Sequence, residues 1–140
     1  MKFFYITAIV LLLLFVLIQL LPIGQITDNP PVVSEPKWDS PETRELVALH
    51  CGDCHSNETI WPWYTQIAPA RWLIAYDVVE GRSKLNFSDW EHYSQPLNEM
   101  VEQVMEGRMP PKKYTIAHPN ADFDDTTRAI FIEALGKTFK

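Results

Sequence analysis

Both cysteines of the chain lie in one short motif, Cys51-Gly52-Asp53-Cys54-His55, which has the form C-x-x-C-H. This pattern is the attachment signature of c-type haem. On a continuous helix, cysteines three residues apart project to the same side, where each thiol could form a thioether with one of the two haem vinyl groups. His55 falls on that side too, so its imidazole could bind the iron as the proximal ligand. The motif therefore predicts one covalently attached haem c.

Three other kinds of site use the same residue types. A thioredoxin-like redox pair is typical of a βαβ setting, and no segment of this chain alternates as a strand would. A structural zinc ion needs four Cys or His ligands, whereas the motif supplies three, of which Cys54 and His55 are adjacent. A plain disulfide between Cys51 and Cys54 is the third alternative, in an oxidising compartment. We favour haem because the complete motif agrees with the helical pattern and the exported location argued below.

Met109 is the predicted sixth ligand of the iron. It follows the end of a predicted helix, and Pro110-Pro111 stiffen the backbone that would carry it. Methionine with histidine is a standard c-type ligand pair. His118 is the alternative, since it could bind the iron or a haem propionate. Met100 and Met105 lie at helical spacing and are assigned to the core.

Two further residues are predicted to contact the haem. Trp61, in the run Trp61-Pro62-Trp63-Tyr64, could wall the porphyrin, although an ordinary aromatic core has the same composition. Arg108, beside Met109, is the favoured partner of a propionate, although a solvated surface arginine looks the same in sequence. No acid–base constellation or nucleophile stands out, so we do not favour an enzymatic reaction.

The N-terminus carries a run of 19 residues, Phe3 to Leu21, in which only Thr7 and Gln19 are polar. A helix of this length spans about 28 Å, close to the roughly 30 Å hydrocarbon core of a bilayer. The run is longer than the apolar part of a secretory signal and lacks a small-residue cleavage site, so we favour a retained anchor over a cleaved signal. Lys2 precedes the run, which keeps the N-terminus cytoplasmic. The remaining chain is then expected outside a bacterial cytoplasmic membrane, in the periplasm.

The expected organisation is an anchor over residues 1–23, a Pro-rich linker over 24–37 and a haem-binding domain over 38–140. Four helices are predicted in that domain: from the Ser40 cap towards His50, from Pro69 to Gly81, from the Ser94 cap to Gly107, and from about Asp124 to Gly136. The fold class is therefore all-α, a small cytochrome c-like helical domain with long loops around one haem.

The charge of the chain restricts its partners. Lys2 is the only charged residue before Gly24, so 11 of the 12 basic residues and all 18 acidic ones follow, a net charge of −7. No cluster of Lys and Arg is present that could neutralise phosphates, and we therefore expect no nucleic-acid partner. A redox protein with a basic docking surface is the expected partner instead.

The residues around the motif resemble a known family. The similarity is carried by Cys51 to Thr59, the Trp61 to Tyr64 run, Ile67-Ala68-Pro69, Trp72, Asp77 to Arg82, Asn86-Phe87-Ser88, Gly107 to Pro111, Tyr114 and His118. Over roughly residues 46–135 the chain is similar to the small bacterial haem-binding domain family, membrane-tethered proteins with one C-x-x-C-H. The resemblance implies attachment through Cys51 and Cys54 and iron ligation by His55, and it leaves Met109 and His118 both open.

Three functions are weighed on these observations. The favoured one is a membrane-anchored monohaem c-type cytochrome that transfers single electrons in the periplasm. The first alternative is a haem-based gas or redox sensor, or a catalytic haem, with an open distal site. The second is a haem-free interaction module in which Cys51 and Cys54 form a disulfide.

Overall fold

The computed structural model describes residues 1–24 and 28–139, which form helices and irregular connections. The α-helices are α1 (Lys2–Gln19), α2 (Pro41–Val47), α3 (Asp53–His55), α4 (Ala70–Lys84), α5 (Leu97–Met105), α6 (Lys112–Ala117) and α7 (Asp125–Thr138). A π-helical turn, Ala48–Gly52, joins α2 to α3, and 3-10 turns cover Trp63–Gln66 and Pro119–Ala121. Extended pairing in the described ranges is limited to an isolated bridge between Ser34 and Asp89. The predicted all-α class is confirmed.

Helix α1 coincides with the predicted apolar run. It is long and apolar enough to cross a membrane by length and composition, criteria that a signal sequence also meets. None of its residues is buried against the rest of the chain. A helix that is apolar all round and leaves its side chains exposed is suited to a lipid environment.

The chain divides into two compact units. The first comprises Met1–Asp28 and Trp61–Asp77, and the second comprises Asn29–Ile60 and Val78–Lys140. Helix α4 contributes residues to both.

In the first unit, polar contacts hold the end of α1. The side-chain amide of Gln19 donates to the Ala68 carbonyl at 3.1 Å, and the Ala68 N–H donates back to Gln19 Oε1 at 2.9 Å. The buried guanidinium of Arg71 donates to the carbonyls of Leu21 at 3.1 Å and Gln19 at 3.4 Å. A helix leaves its last carbonyls without partners, so these bonds satisfy the C-terminus of α1.

The second unit contains the hydrophobic core. Its buried members come from α2, α5, α7 and the connections between them: Val47, Phe87, Met100, Val104, Phe123, Phe131 and Leu135. Trp90 stacks on Phe87 and Phe139, with ring centroids 5.8 Å and 4.7 Å apart. Each large apolar side chain buried in this way contributes about 1.5–3 kcal/mol to folding.

The predicted Ser40 cap and the predicted helix start near Asp124 are both confirmed. The Ser40 hydroxyl accepts from the Thr43 N–H at 3.2 Å, at the start of α2. The Asp124 carboxylate accepts from the Thr127 N–H at 2.7 Å, at the start of α7. Such caps satisfy backbone donors that the first turn leaves unpaired.

The predicted Ser94 cap is wrong, because α5 begins at Leu97 with Pro96 as its N-cap residue and no side-chain cap. A residue that precedes proline disfavours helical backbone, and Gln95 instead directs its amide to the Lys84 carbonyl at 2.7 Å. The helix does end before Gly107, as predicted, and that glycine has a φ of +67°. Positive φ is readily adopted by glycine after a helix.

Two predicted helix ends are also wrong. Helix α4 continues through Gly81 to Lys84, and α7 continues through Gly136 to Thr138. In α4, Gly81 permits a close backbone contact, described below, and does not end the helix. In α7, Leu135 and Phe139 pack in the core, and this packing extends the helix past Gly136.

Further differences concern Met105 and the predicted loops. Met105 is predicted to lie in the core with Met100. It is instead 66% exposed, because α5 turns its side chain away from the buried Met100 and Val104. The loops after the haem motif and after Met109 contain the 3-10 turn Trp63–Gln66 and helix α6. Both elements are too short to produce a periodic apolar stripe.

Residues 29–37 of the predicted linker belong to the second unit. Val33 N–H donates to the Ser88 carbonyl at 2.8 Å, and Glu35 pairs with Arg44 of α2 at 2.7 Å. Residues 25–27 of that linker lie outside the described residues. The boundaries 1–23, 24–37 and 38–140 stay a prediction.

Candidate functional site

The C-x-x-C-H motif lies on uninterrupted helical backbone. The π-helical turn Ala48–Gly52 carries Cys51, and α3 carries Cys54 and His55. Backbone angles at the joining residues Val47, Gly52 and Asp53 are all right-handed helical. The continuous helix that would place Cys51, Cys54 and His55 on one side is therefore present, with one π-helical turn that the sequence did not indicate. Such turns occur frequently at functional sites.

His55 is oriented by two backbone carbonyls from the end of α4. Its Nδ1 lies 3.0 Å from the carbonyl oxygen of Gly81 and 3.0 Å from that of Leu85. Carbonyl oxygens only accept hydrogen bonds, so Nδ1 carries the proton and Nε2 keeps its lone pair. A histidine that binds a metal usually has its other ring nitrogen fixed in this way.

Burial also favours the neutral imidazole. It lowers the pKa of His55 below its ordinary value, and the hydrogen bonds to the Leu85 and Gly81 carbonyls oppose that shift only in part. The neutral ring is the form that can bind a metal ion.

Gly81 brings α4 against the motif. A Cβ atom built on Gly81 would lie 2.4 Å from the carbonyl oxygen of Cys54 and 3.1 Å from the Cys54 Cβ. Only a residue without a side chain permits this approach. The same stretch of α4 therefore contacts one cysteine and holds the histidine.

A cavity of about 420 Å³ opens beside the motif, within the second unit. Three of the predicted haem-binding residues, Cys51, His55 and Met109, line it. Its other lining residues are Lys84, Leu85, Phe87, Gln95, Glu99, Met100, Gln103, Val104, Phe131 and Leu135. The volume lies within the range of about 300–1,000 Å³ that is typical of ligand and cofactor pockets. A mainly apolar wall with a neutral imidazole and a thioether fits a haem in size and in chemistry.

Both cysteines are free thiols in the structure. Burial, followed by the interaction with Cys54, raises the pKa of Cys51 to about 12. Cys51 therefore remains protonated at neutral pH, as a neutral group on the wall of an apolar cavity.

The remaining predicted site residues lie elsewhere. Trp61 belongs to the first unit. Arg108 pairs with Glu106 and, at 3.2 Å, with Glu102, and it also bonds to Gln103. Their contact with haem stays a prediction.

His118, the alternative ligand, stacks on Tyr114, with ring centroids 4.3 Å apart. The Tyr114 hydroxyl donates to the carboxylate of Asp53, inside the motif, at 2.7 Å. His118 is thus linked to the motif through Tyr114, and the cavity-lining set contains Met109 rather than His118.

Sequence reasoning missed Lys84 on the cavity wall and the contacts of His50 beside the motif. Lys84 lines the cavity, and Glu80, four residues earlier, lies 3.6 Å from it, a spacing typical of a surface ion pair. His50, which precedes the motif, is buried, donates from Nδ1 to the Ala121 carbonyl at 2.9 Å and stacks on Phe123. Its partners lie about 70 residues away, so no local signal indicated them.

The geometry does not support a thioredoxin-like redox pair or a structural zinc site. The described residues contain no βαβ unit. Among residues 1–24 and 28–139, no group of three or more His, Cys, Asp or Glu side chains is arranged to hold a metal ion. A structural zinc site would require such a group.

The histidine of the C-x-x-C-H motif faces an apolar cavity in an all-helical domain, an arrangement suited to a haem. The model of a family described as the haem-binding domain matches residues 13–136. The chain belongs to this family, and its cofactor is haem. No curated protein and no solved structure matches the chain.

Proposed function

We propose that the protein is a membrane-anchored monohaem c-type cytochrome that transfers single electrons in the periplasm. This proposal rests on one arrangement. Cys51, His55 and Met109 line the same cavity, and His55 Nδ1 donates hydrogen bonds to two backbone carbonyls. These are an attachment residue and two residues that can serve as axial ligands.

Attachment would proceed through the two thiols. Each thiol would add across one vinyl group of a bound haem, with its sulfur forming the carbon–sulfur bond and its hydrogen going to the neighbouring vinyl carbon. Cys51 lies on the cavity wall, and Cys54 is one helical turn further along. Gly81 holds the backbone of Cys54 in place and thereby positions the second attachment point.

Axial ligation would involve His55 Nε2 and the Met109 sulfur. Two carbonyls fix the imidazole ring, so the orientation of His55 would change little when the iron changes its oxidation state. The N–H of Met109 donates to the Gln103 carbonyl at 3.0 Å, which ties the methionine backbone to α5. When bound, the haem supplies a centre that takes one electron from a reduced donor and passes it to an oxidised acceptor, and methionine ligation raises its potential.

Helix α1 would anchor this domain in the cytoplasmic membrane. Lys2 places the N-terminus in the cytoplasm and the haem-binding domain outside it. The tether keeps the domain at high effective concentration near membrane-bound redox partners. The negative charge of the domain favours a partner with a basic docking surface.

Optical spectroscopy of the full chain tests the proposal. The protein is produced with the c-type maturation machinery, purified in detergent and recorded oxidised, reduced and reduced with carbon monoxide. We expect low-spin c-type spectra with a methionine–iron charge-transfer band and no change on carbon monoxide addition. High-spin iron or ready carbon monoxide binding would favour the sensor or catalytic haem. A colourless protein would contradict haem binding altogether.

A further inference from the structure

One segment of the first unit carries little charge. Trp61–Asp77 contains two charged residues, Arg71 and Asp77. Arg71 is buried and directs its guanidinium to carbonyls at the end of α1, so its charge does not face solvent. The segment therefore presents mainly apolar and aromatic groups.

Three large side chains of this segment are strongly exposed. The exposed fractions are 76% for Trp63, 61% for Leu73 and 67% for Tyr76. Leu73 and Tyr76 lie three residues apart on α4 and so share one face of the helix, and Trp63 is exposed in the same weakly charged segment. We call Trp63, Leu73 and Tyr76 the aromatic–apolar surface.

The end of the apolar helix is hydrogen-bonded to the segment that carries this surface. Ala68, which exchanges two hydrogen bonds with Gln19, is five residues from both Trp63 and Leu73. At about 1.5 Å per residue, Leu73 and Tyr76 lie about 5 and 9 Å from Ala70 along the α4 axis. Each headgroup region of a bilayer is about 5–7 Å thick. Along α4, Leu73 and Tyr76 therefore lie within about 9 Å of Ala70, a distance comparable with the thickness of that region.

We propose that the aromatic–apolar surface lies in the headgroup region of the same bilayer that α1 crosses. This inference rests on the proposed membrane anchor. Trp and Tyr are enriched at membrane interfaces, where the ring is partly buried and its polar group stays hydrated. Leu73 adds apolar area, with which interfacial binding strength increases. The surface, together with the bonds from Gln19 and Arg71, fixes the first unit on the membrane instead of leaving it on a loose tether.

Photocross-linking in vesicles tests this proposal. The photoreactive residue p-benzoyl-phenylalanine is introduced singly at Trp63, Leu73 or Tyr76 of the full chain. Each variant is reconstituted into vesicles of phosphatidylcholine and phosphatidylglycerol, illuminated, and analysed for lipid adducts by peptide mass spectrometry. Circular dichroism verifies that every variant is folded.

Three control positions complete the experiment. Leu12, in the middle of α1, reports insertion of the anchor. Met105 and Ile116, which are 66% and 75% exposed and belong to the second unit, report the background for exposed apolar residues. We expect lipid adducts at Trp63, Leu73 and Tyr76 several-fold above that background.

The other outcomes each overturn the proposal in a distinct way. Adducts at Leu12 with only background at Trp63, Leu73 and Tyr76 would refute the surface and leave the anchor intact. Background at Leu12 as well would refute the anchor, and the surface with it. Cross-links to a second copy of the chain in place of lipid would assign the surface to self-association.

Discussion

Gly81 of α4 and Cys54 of the haem motif are in direct backbone contact. A Cβ on Gly81 would lie 2.4 Å from the Cys54 carbonyl oxygen, a distance that real Cβ atoms essentially never show. The carbonyl of Gly81 also accepts the hydrogen bond from His55 Nδ1 at 3.0 Å. The same glycine therefore contacts Cys54 of the motif and accepts a hydrogen bond from His55.

Gly81→Ala should damage the site. The added methyl group meets backbone rather than a flexible side chain, so α4 must move away from the motif. Overpacking of this kind destabilises by about 1–3 kcal/mol. We expect a lower midpoint of thermal unfolding and a reduced yield of covalent haem, measured by the pyridine haemochrome assay.

Gly136→Ala is the matched control. Gly136 also lies inside a helix, and a Cβ there would have nothing within 4 Å. Alanine is favoured over glycine in a helix by about 1 kcal/mol, so this variant should be as stable as the original or more so. Equal behaviour of the two variants would refute the role assigned to the contact between Gly81 and Cys54.

Replacing both Cys51 and Cys54 by alanine should abolish covalent haem. No thioether can then form, although His55 can still bind haem without it. Denaturing electrophoresis with haem staining should show no coloured band, whereas the Cys54→Ala single variant keeps one attachment point. A haem-stained band from the double variant would show that the motif is not the attachment site.

Tyr114→Phe should destabilise the second unit. It removes the hydroxyl that donates to the Asp53 carboxylate at 2.7 Å and so detaches α6 from the motif. Hydrogen bonds to charged groups contribute about 1.5–3 kcal/mol, and partial exposure places this one at the lower end. Chemical unfolding measures the change.

Tyr93→Phe serves as the control for Tyr114→Phe, because the Tyr93 hydroxyl makes no hydrogen bond in the part of the chain that the structure describes. Its free energy of unfolding should stay close to that of the original protein. Similar losses in both variants would show that the Tyr114 bond contributes nothing specific.

The features that the sequence predicted are local in the chain. The spacing of Cys51, Cys54 and His55 predicts a haem from five residues, and the family match confirms the haem itself. The Ser40 cap and the helix start near Asp124 depend on contacts within one helical turn, which is why both were predicted correctly.

The features that were missed depend on distant contacts. The sequence predicts a helix end at Gly81. The residues near Gly81 do not indicate its contact with Cys54, which lies 27 positions earlier in the chain. The carbonyls that orient His55 are 26 and 30 residues away from it. Lys84 is a cavity residue only because the fold places it on the same cavity as α5 residues such as Gln103. Tertiary geometry decides these cases, and periodicity carries no information about it.

Glu35→Gln should flatten the acid side of the stability curve. Hydrogen bonds from Arg44 lower the pKa of the Glu35 carboxyl below its ordinary value of 4.5. The ionised form is thus favoured in the folded state, so its contribution is complete above pH 4.5 and is lost as the pH falls through the lowered folded-state pKa. Both partners are partly exposed, which limits the contribution to about 1 kcal/mol.

Unfolding by urea between about pH 3 and pH 7 measures this effect, and Glu45→Gln is the control. Glu45 is the neighbour of Arg44 on α2 and makes no salt bridge in the described ranges. Its variant should keep the acid-dependent loss, whereas Glu35→Gln should show less of it. If the free energy of unfolding depended on pH in the same way for both variants, Glu35 would not contribute to the loss of stability in acid.

Met109→Ala should open the iron on its distal side. The thioether lines the cavity together with His55, and alanine cannot reach the metal. We expect loss of the methionine–iron charge-transfer band, carbon monoxide binding in the reduced state, and a potential lower by about 0.1 V or more, within the roughly 0.8 V that axial ligands span. Met105→Ala is the matched control, because Met105 is 66% exposed and should leave spectrum and potential unchanged. An unaltered spectrum for Met109→Ala would transfer the sixth position to His118, and His118→Ala should then produce the changes expected here.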